Sequence, residues 1–284
     1  MILVTGAAGK TGQAVIQALV ERGAAVRAFI YRPDYEAAMK ALGVQEVVAG
    51  DMRDELTFRQ ATQGVQAIYH ACSNMNPAEV AIGRIAIQAA RSAGASHFVY
   101  HSVLHPQTER MPHHWHKLRV EEMLFESGLA YTILQPAAYM QNIVAGWAAI
   151  VEQGVYRVPY SVETRLGMVD LVDVATVAAT VLTEAGHSGA SYELAGPDIL
   201  SQRDVAAILS ACLKRPVQAE QIPMEVWLEK ARAGGLGTYQ LETLAKMFQY
   251  YERYGFWGNS RVLAWLLGRP PNGFRAFVNR IKNR

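Results

Sequence analysis

Three glycines near the start of the chain, Gly6, Gly9 and Gly12, stand at a spacing suited to holding a negatively charged ligand. They lie between an apolar run, Ile2-Leu3-Val4-Thr5, and a segment with helical patterning, so their loop leads straight into a helix N-terminus. Backbone amides point outward there, and the helix macrodipole favours an anion. Glycines in such a turn allow a tight bend, a close backbone approach to phosphate and close helix packing, which together make a dinucleotide diphosphate site. Gly9-Lys10-Thr11 also resembles the end of a triphosphate-binding P-loop. That loop needs four residues between its glycines, whereas Gly6 and Gly9 are separated by two, which removes kinase and ATPase chemistry of that type.

Further along, Arg32 stands where a second strand ends, the position that contacts an adenosine ribose in dinucleotide sites. A planar guanidinium suits a 2'-phosphate, and Lys10 offers a second cation, so NADP is expected over NAD. Asp34, two residues on, is placed to accept from a 2'-hydroxyl instead. Asp51, after a third strand, either faces the adenine or shapes the Gly50-Asp51 turn. A helix over 113–127 would put His113 and Lys117 on one face at i, i+4, an imidazole and an amine suited to proton transfer. The histidines at 101, 105, 113, 114 and 116 do not follow a zinc spacing, and neither cysteine is close in sequence, so no metal is expected.

These residues need a scaffold, and the apolar periodicity supplies one. Strands are predicted at 2–5, 25–31, 46–49, 65–70, 97–102 and 131–134, with helices at 10–22, 77–93 and 113–127. Strand alternating with helix implies right-handed crossovers and a doubly wound parallel sheet, an α/β Rossmann arrangement with ligand beyond the carboxyl ends of the strands. Those ends carry Gly6, Arg32, Asp51, His70 and Ser102. Residues 1–136 are expected to form the cofactor-binding domain, with later segments returning to it, and 137–284 a smaller, mainly helical substrate-capping region. In the latter, helices are predicted at 173–184, 202–213 and 224–233 and strands at 167–169 and 191–194, with Asp173 as a helix N-cap. Tyr239, Phe248, Tyr250, Tyr251, Tyr254, Phe256, Trp257 and Trp265 either wall a pocket for a flat apolar substrate or pack the appended helices and a subunit interface.

The chain has 284 residues, 51% of them apolar, and a net charge of +2, enough apolar material for a large core and no global bias toward nucleic acid or membrane. The basic run at 275–284 is a local exception. Cys72 and Cys212 imply no disulfide framework. With a strand beginning at Ile2 and no apolar stretch of spanning length, no signal peptide or membrane helix is expected, and cytoplasmic residence follows.

Four stretches resemble the NmrA-like branch of the atypical short-chain dehydrogenase/reductases, related to the isoflavone-reductase-like enzymes. They are Val4-Thr5-Gly6-Ala7-Ala8-Gly9-Lys10-Thr11-Gly12, Ala49-Gly50-Asp51, His116-Lys117-Leu118-Arg119-Val120-Glu121-Glu122, and the segment from Ser127-Gly128-Leu129 to Gln135-Pro136. The resemblance implies a cofactor-binding set of Gly6, Ala8, Gly9, Lys10, Thr11, Gly12, Arg32, Asp51, Met52, His70, Ala71, Lys117 and Pro136. It also implies that Lys117 acts in acid/base chemistry. Standard members of the wider superfamily use a serine, a tyrosine and a lysine four residues after that tyrosine. Here Ser102 stands at the expected serine, but His113 replaces the tyrosine. An imidazole titrating near neutrality would serve as a substitute proton donor. Gln135 stands where many relatives carry an arginine.

Two functions follow as expectations. One is an NADP(H)-dependent oxidoreductase passing hydride to a small aromatic or conjugated acceptor such as a quinone, aldehyde or enone, with Lys117, His113 and Ser102 as catalytic residues. A quinone accepts hydride readily and asks little of a proton donor, which fits the missing tyrosine. The alternative is a non-catalytic NADP(H)-binding sensor acting through a protein partner. Homo-oligomerisation is compatible with either.

Overall fold

The computed structural model describes residues 1–282; Asn283 and Arg284, the end of the basic run, lie outside the described residues. Strands β1 (Ile2–Val4), β2 (Val26–Ile30), β3 (Glu46–Ala49), β4 (Ala67–His70), β5 (His97–His101) and β6 (Tyr131–Pro136) alternate with helices α1 (Lys10–Glu21), α2 (Glu36–Ala41), α3 (Glu55–Thr62), α4 (Glu79–Ser92) and α5 (Pro112–Phe125). There follow β7 (Ala138–Tyr139), β8 (Val155–Val158), β9 (Leu166–Val169), α6 (Leu171–Thr183), β10 (Ala190–Leu194), β11 (Ile199–Leu200), α7 (Gln202–Leu213) and β12 (Gln218–Gln221). The chain ends in α8 (Met224–Ala233), α9 (Thr238–Tyr254), α10 (Arg261–Leu267) and α11 (Phe274–Ile281).

A seven-stranded sheet runs in the order β10-β6-β5-β4-β1-β2-β3. The pairs β1–β2, β2–β3, β1–β4, β4–β5 and β5–β6 are parallel, so the doubly wound α/β sheet predicted from the alternation is present. The order reverses between β1 and β4, the topological switch point where such sheets take their ligands. Both faces are covered, which is why the strands read as apolar runs rather than alternating ones. Leu3, Ile68, Phe98 and Ile133 of the sheet pack with Phe58 of α3, Ala86 and Ala90 of α4, and Val120 and Leu124 of α5. Gly83 of α4 permits a close approach to α5, since a Cβ there would lie 2.6 Å from Val120 Cγ2.

The chain divides into two compact units. One comprises residues 1–108, 113–135 and 174–192, and the other 109–112, 136–173 and 193–284. In the second, β11-β9-β7 and β12-β8 form small sheets. Two buried carboxylates organise it. Asp170 accepts from Arg280 Nη2 at 2.7 Å and from Gln141 Nε2 at 2.7 Å, while Asp173 accepts from Arg269 Nη2 at 2.7 Å and the Asn272 amide at 2.6 Å. The expectation that Asp173 caps a helix is therefore corrected. α6 begins two residues earlier, Asp170 accepts the Val172 amide at 3.2 Å, and Asp173 is turned to the C-terminal arginine and asparagine.

Of the aromatic residues near the end of the chain, Tyr251 stacks on Phe256 at 4.9 Å, and Phe248 lies 4.8 Å from Trp227 and 5.6 Å from Tyr160. These pack elements of the second unit together, while Tyr254, Trp257 and Trp265 remain exposed. No helix among the described residues is long and apolar enough to cross a membrane.

Candidate active site

The glycine loop has the local geometry its sequence implies. Gly6 adopts φ +61°, and a Cβ there would sit 2.6 Å from the Ala71 carbonyl oxygen. A Cβ on Gly12 would lie 2.4 Å from Gly6 O and 2.7 Å from Ala7 Cα. Neither position has room for a side chain, so α1 starts hard against the end of β1. Gly9 is the N-cap, with no side-chain cap hydrogen bond and no acidic residue in the first turn, a helix start whose dipole suits an external anion. Ala8 turns its carbonyl to Gln13 Nε2 at 2.8 Å. Thr5 Oγ1 accepts the Ala71 amide at 3.0 Å, fixing the end of β4 to the loop. Partial burial lowers the Lys10 ammonium below the ordinary lysine value. A Cβ-free cradle of amides with a lysine beside it fits a dinucleotide diphosphate.

At the ends of β2 and β3, Arg32 lies exposed over the Tyr35 ring, with Nη2 2.5 Å from the Tyr35 hydroxyl and Nε 3.8 Å from Asp34 Oδ2. Asp51 takes Arg53 in a fork, Nε to Oδ1 at 3.1 Å and Nη2 to Oδ2 at 2.6 Å, and also accepts the Arg53 amide at 2.9 Å. Those bonds hold the Asp51 carboxyl below the usual carboxylate range. The carboxylate thus shapes the turn, and a second guanidinium stands beside Arg32's strand end that local sequence reasoning did not single out. Met52, half-buried, packs on the core beneath.

Lys117 is the most constrained of the expected residues. Only 13% of its side chain is exposed, and Nζ donates to Glu79 Oε1 at 3.0 Å and to the His101 carbonyl at 3.0 Å. The ammonium also lies 5.2 Å from the Tyr100 ring centroid, and Tyr100 donates its own hydroxyl to Glu79 Oε1 at 2.8 Å. The i, i+4 partner that the helix offers, Glu121, is not used. Glu121 instead accepts from Ser102 Oγ and, at 3.0 Å to each oxygen, from Gln135 Nε2. Burial raises its carboxyl, against the lowering effect of the Ser102 and Gln135 bonds and of Lys117.

Three expectations are corrected by burial. His113 does lie one helical turn before Lys117, but burial pulls its imidazole down to about 2, with nearby His114, Lys117 and His116 adding to the effect. It is neutral at any working pH and does not titrate near neutrality. Ser102 is 2% exposed, and its proton is committed to Glu121. His70 has no exposed surface; its ring pairs with Thr5 Oγ1 at 3.0 Å and stacks on Tyr100 at 6.0 Å, so the side chain is spent inside the core. Pro136 closes β6 and is buried. Glu79 and Tyr100 were missed because nothing in their local sequence separates a partner of Lys117 from a core or surface residue. Met75 and His105, in the loops after β4 and β5, hold left-handed φ of 51° and 53°, backbone strain of the kind that gathers at functional loops. Among the described residues no group of three or more histidine, cysteine or acidic side chains could hold a metal.

Residues 1–266 match the NmrA-like family. The chain is 33% identical over 247 residues to an NAD(P)H azoreductase of Xenophilus azovorans, covering 86% of this chain and 84% of that one. It is 29% identical over 285 residues to quinone oxidoreductase 2 of Escherichia coli, covering 100% and 99%. An NADPH-dependent quinone oxidoreductase from E. coli, solved in complex with NADPH, superposes with a TM-score of 0.87 at 28% identity over the whole of both chains.

Proposed function

The chain belongs to the NmrA-like family, and on that footing we propose that it is an NADP(H)-dependent reductase of small aromatic or conjugated acceptors, quinones first among them. The observation that carries the proposal is the start of α1, where Gly6 and Gly12 leave no room for a Cβ and the first-turn amides have no side-chain cap. Both reductase relatives, an azoreductase and a quinone oxidoreductase, support the acceptor class. They give no support to the sensor alternative.

In this reading the α1 amides and Lys10 would hold the diphosphate, and Arg32 would pair with the 2'-phosphate. When bound, NADPH supplies a hydride with its electron pair from the nicotinamide. Lys117, its ammonium donating to the His101 carbonyl at 3.0 Å, gives a proton to the acceptor oxygen, or to the nitrogen of an azo acceptor, as charge builds there, and regains one from water. His113, being neutral, leaves that task to the lysine. Residues 137–284 are proposed to cap the acceptor, and the cytoplasm, which keeps thiols such as Cys72 and Cys212 reduced, is the proposed compartment.

The test is NADPH oxidation by the purified protein against quinones, azo dyes, aromatic aldehydes and enones, followed by absorbance. Turnover with quinones or azo dyes is expected. No turnover with any class, in protein shown to bind NADPH, would refute the reading.

A further inference from the structure

Glu79 has no role in the reaction as described above, yet it is placed as though it had one. The residue is 3% exposed, and a single oxygen, Oε1, accepts from both Lys117 Nζ and the Tyr100 hydroxyl. It sits in the first turn of α4, where the helix dipole stabilises a negative charge. One turn further on, Gly83 removes the Cβ that would strike Val120, and this lets α4 approach α5 closely enough for Glu79 to reach Lys117.

We propose that Glu79 is a positioning residue for the reduction: it fixes the Lys117 ammonium against the His101 carbonyl and keeps the proton on Nζ until the acceptor oxygen takes it. The inference rests on the reading of Lys117 as proton donor. An ammonium has three hydrogens, and two of these are committed to Glu79 and His101. The third is left for the acceptor. No electron passes through the chain in this step; the proton moves from nitrogen to oxygen and is replaced from water.

The other groups around Nζ do not supply the counter-charge. From β4 and its following loop come His70, lowered to about 4 by burial, and Cys72, whose thiol burial pushes up to about 12. From β5 come Tyr100, raised by burial, and His101, lowered to about 3. On α5 itself His113 and His114 are neutral for the same reason, and Glu121 is occupied by Ser102 and Gln135. Glu79 is therefore the carboxylate in direct contact with the lysine.

Glu79→Gln keeps the size and an acceptor oxygen but removes the charge. In the quinone or enone assay, kcat is expected to fall about tenfold at pH 8, and its alkaline limb to move about one unit to lower pH, because the ammonium has lost its stabilising charge. The KM for NADPH is expected to stay within about twofold, since uniform binding is untouched. Introduced into Lys117→Met, the same change should lower kcat by less than about twofold, as for two residues acting as one unit. An unshifted limb, or losses that add in the double variant, would overturn the proposal. Full activity in Lys117→Met alone would overturn the role of the lysine instead. If Glu79→Gln does not fold, Glu79→Asp, which retains the charge, should lower kcat without moving the alkaline limb; a moved limb would overturn the proposal.

Discussion

Lys117 is a surface-helix residue by sequence position and a buried one by contact. Its near-complete burial, two hydrogen bonds and proximity to the Tyr100 ring consume the rotamer freedom that makes most helix lysines poor catalysts. Lys117→Ala is expected to lower kcat by about a hundredfold or more, the usual worth of a positioned acid. NADPH binding should weaken yet stay measurable by fluorescence titration; retained turnover would remove the lysine from the mechanism. Arg32 is its opposite, an exposed guanidinium resting on Tyr35 with a weak contact to Asp34. A surface pair of that kind contributes little to stability, so Arg32→Ala should leave the fold intact. It should reduce the NADPH over NADH preference in kcat/KM about tenfold, in line with the loss of one charge-assisted phosphate contact. An unchanged ratio would count against the 2'-phosphate assignment, and Arg53, forked on Asp51, would become the next guanidinium to replace.

At the scale of elements, one motif carries each half of the chain. In the first half a strand runs into a helix whose start is stripped of side chains, and the same parallel sheet brings the ends of β1, β4 and β5 side by side. In the second, α11 and the segment just before it are tied to the beginning of α6 through carboxylates with no exposed surface, Arg280 of α11 to Asp170 and Arg269 of the preceding segment to Asp173. Truncating one partner of a buried ion pair strands the other charge. Arg280→Ala is therefore expected to cost about 2 kcal/mol in urea unfolding, below the usual figure for a fully buried pair because the arginine is partly exposed. No change in the unfolding midpoint would show that Gln141 and Asn272 satisfy Asp170 on their own.

For the molecule as a whole, four buried imidazoles make stability depend on acid. His70, His101, His113 and His114 are lowered by burial to about 4, 3, 2 and 4, so the unfolded chain binds protons at pH values where the folded one does not. Stability is then fully present above the ordinary histidine range and is lost as pH falls from there toward the folded values. One unit below that range each histidine should cost about 1.4 kcal/mol, and the four together about 5–6 kcal/mol. Glu121 works the other way, since its raised carboxyl is relieved by protonation, but one group does not offset four. Urea midpoints at pH 7.5, 6.5 and 5.5 should fall steadily. A flat or rising series would mean that these rings find partners or solvent when protonated.

The apolar runs and the glycine spacing were enough to determine the doubly wound sheet, the start of α1 and the helix carrying Lys117, because period and turn chemistry are local properties. They also singled out Arg32 at a strand end. What they left undecided were the states and partners of polar side chains. The sequence spaces Glu121 at i+4 from Lys117, but α4 and β5 bring Glu79 and the His101 carbonyl to the lysine, and Glu121 goes to Ser102 and Gln135. It offered His113 as a group titrating near neutrality, but packing buries the ring and keeps it neutral. It offered His70 to the cofactor, but the ring stacks inside the core. In each case the deciding quantity is desolvation or a contact between residues far apart in sequence, and only the tertiary structure sets those.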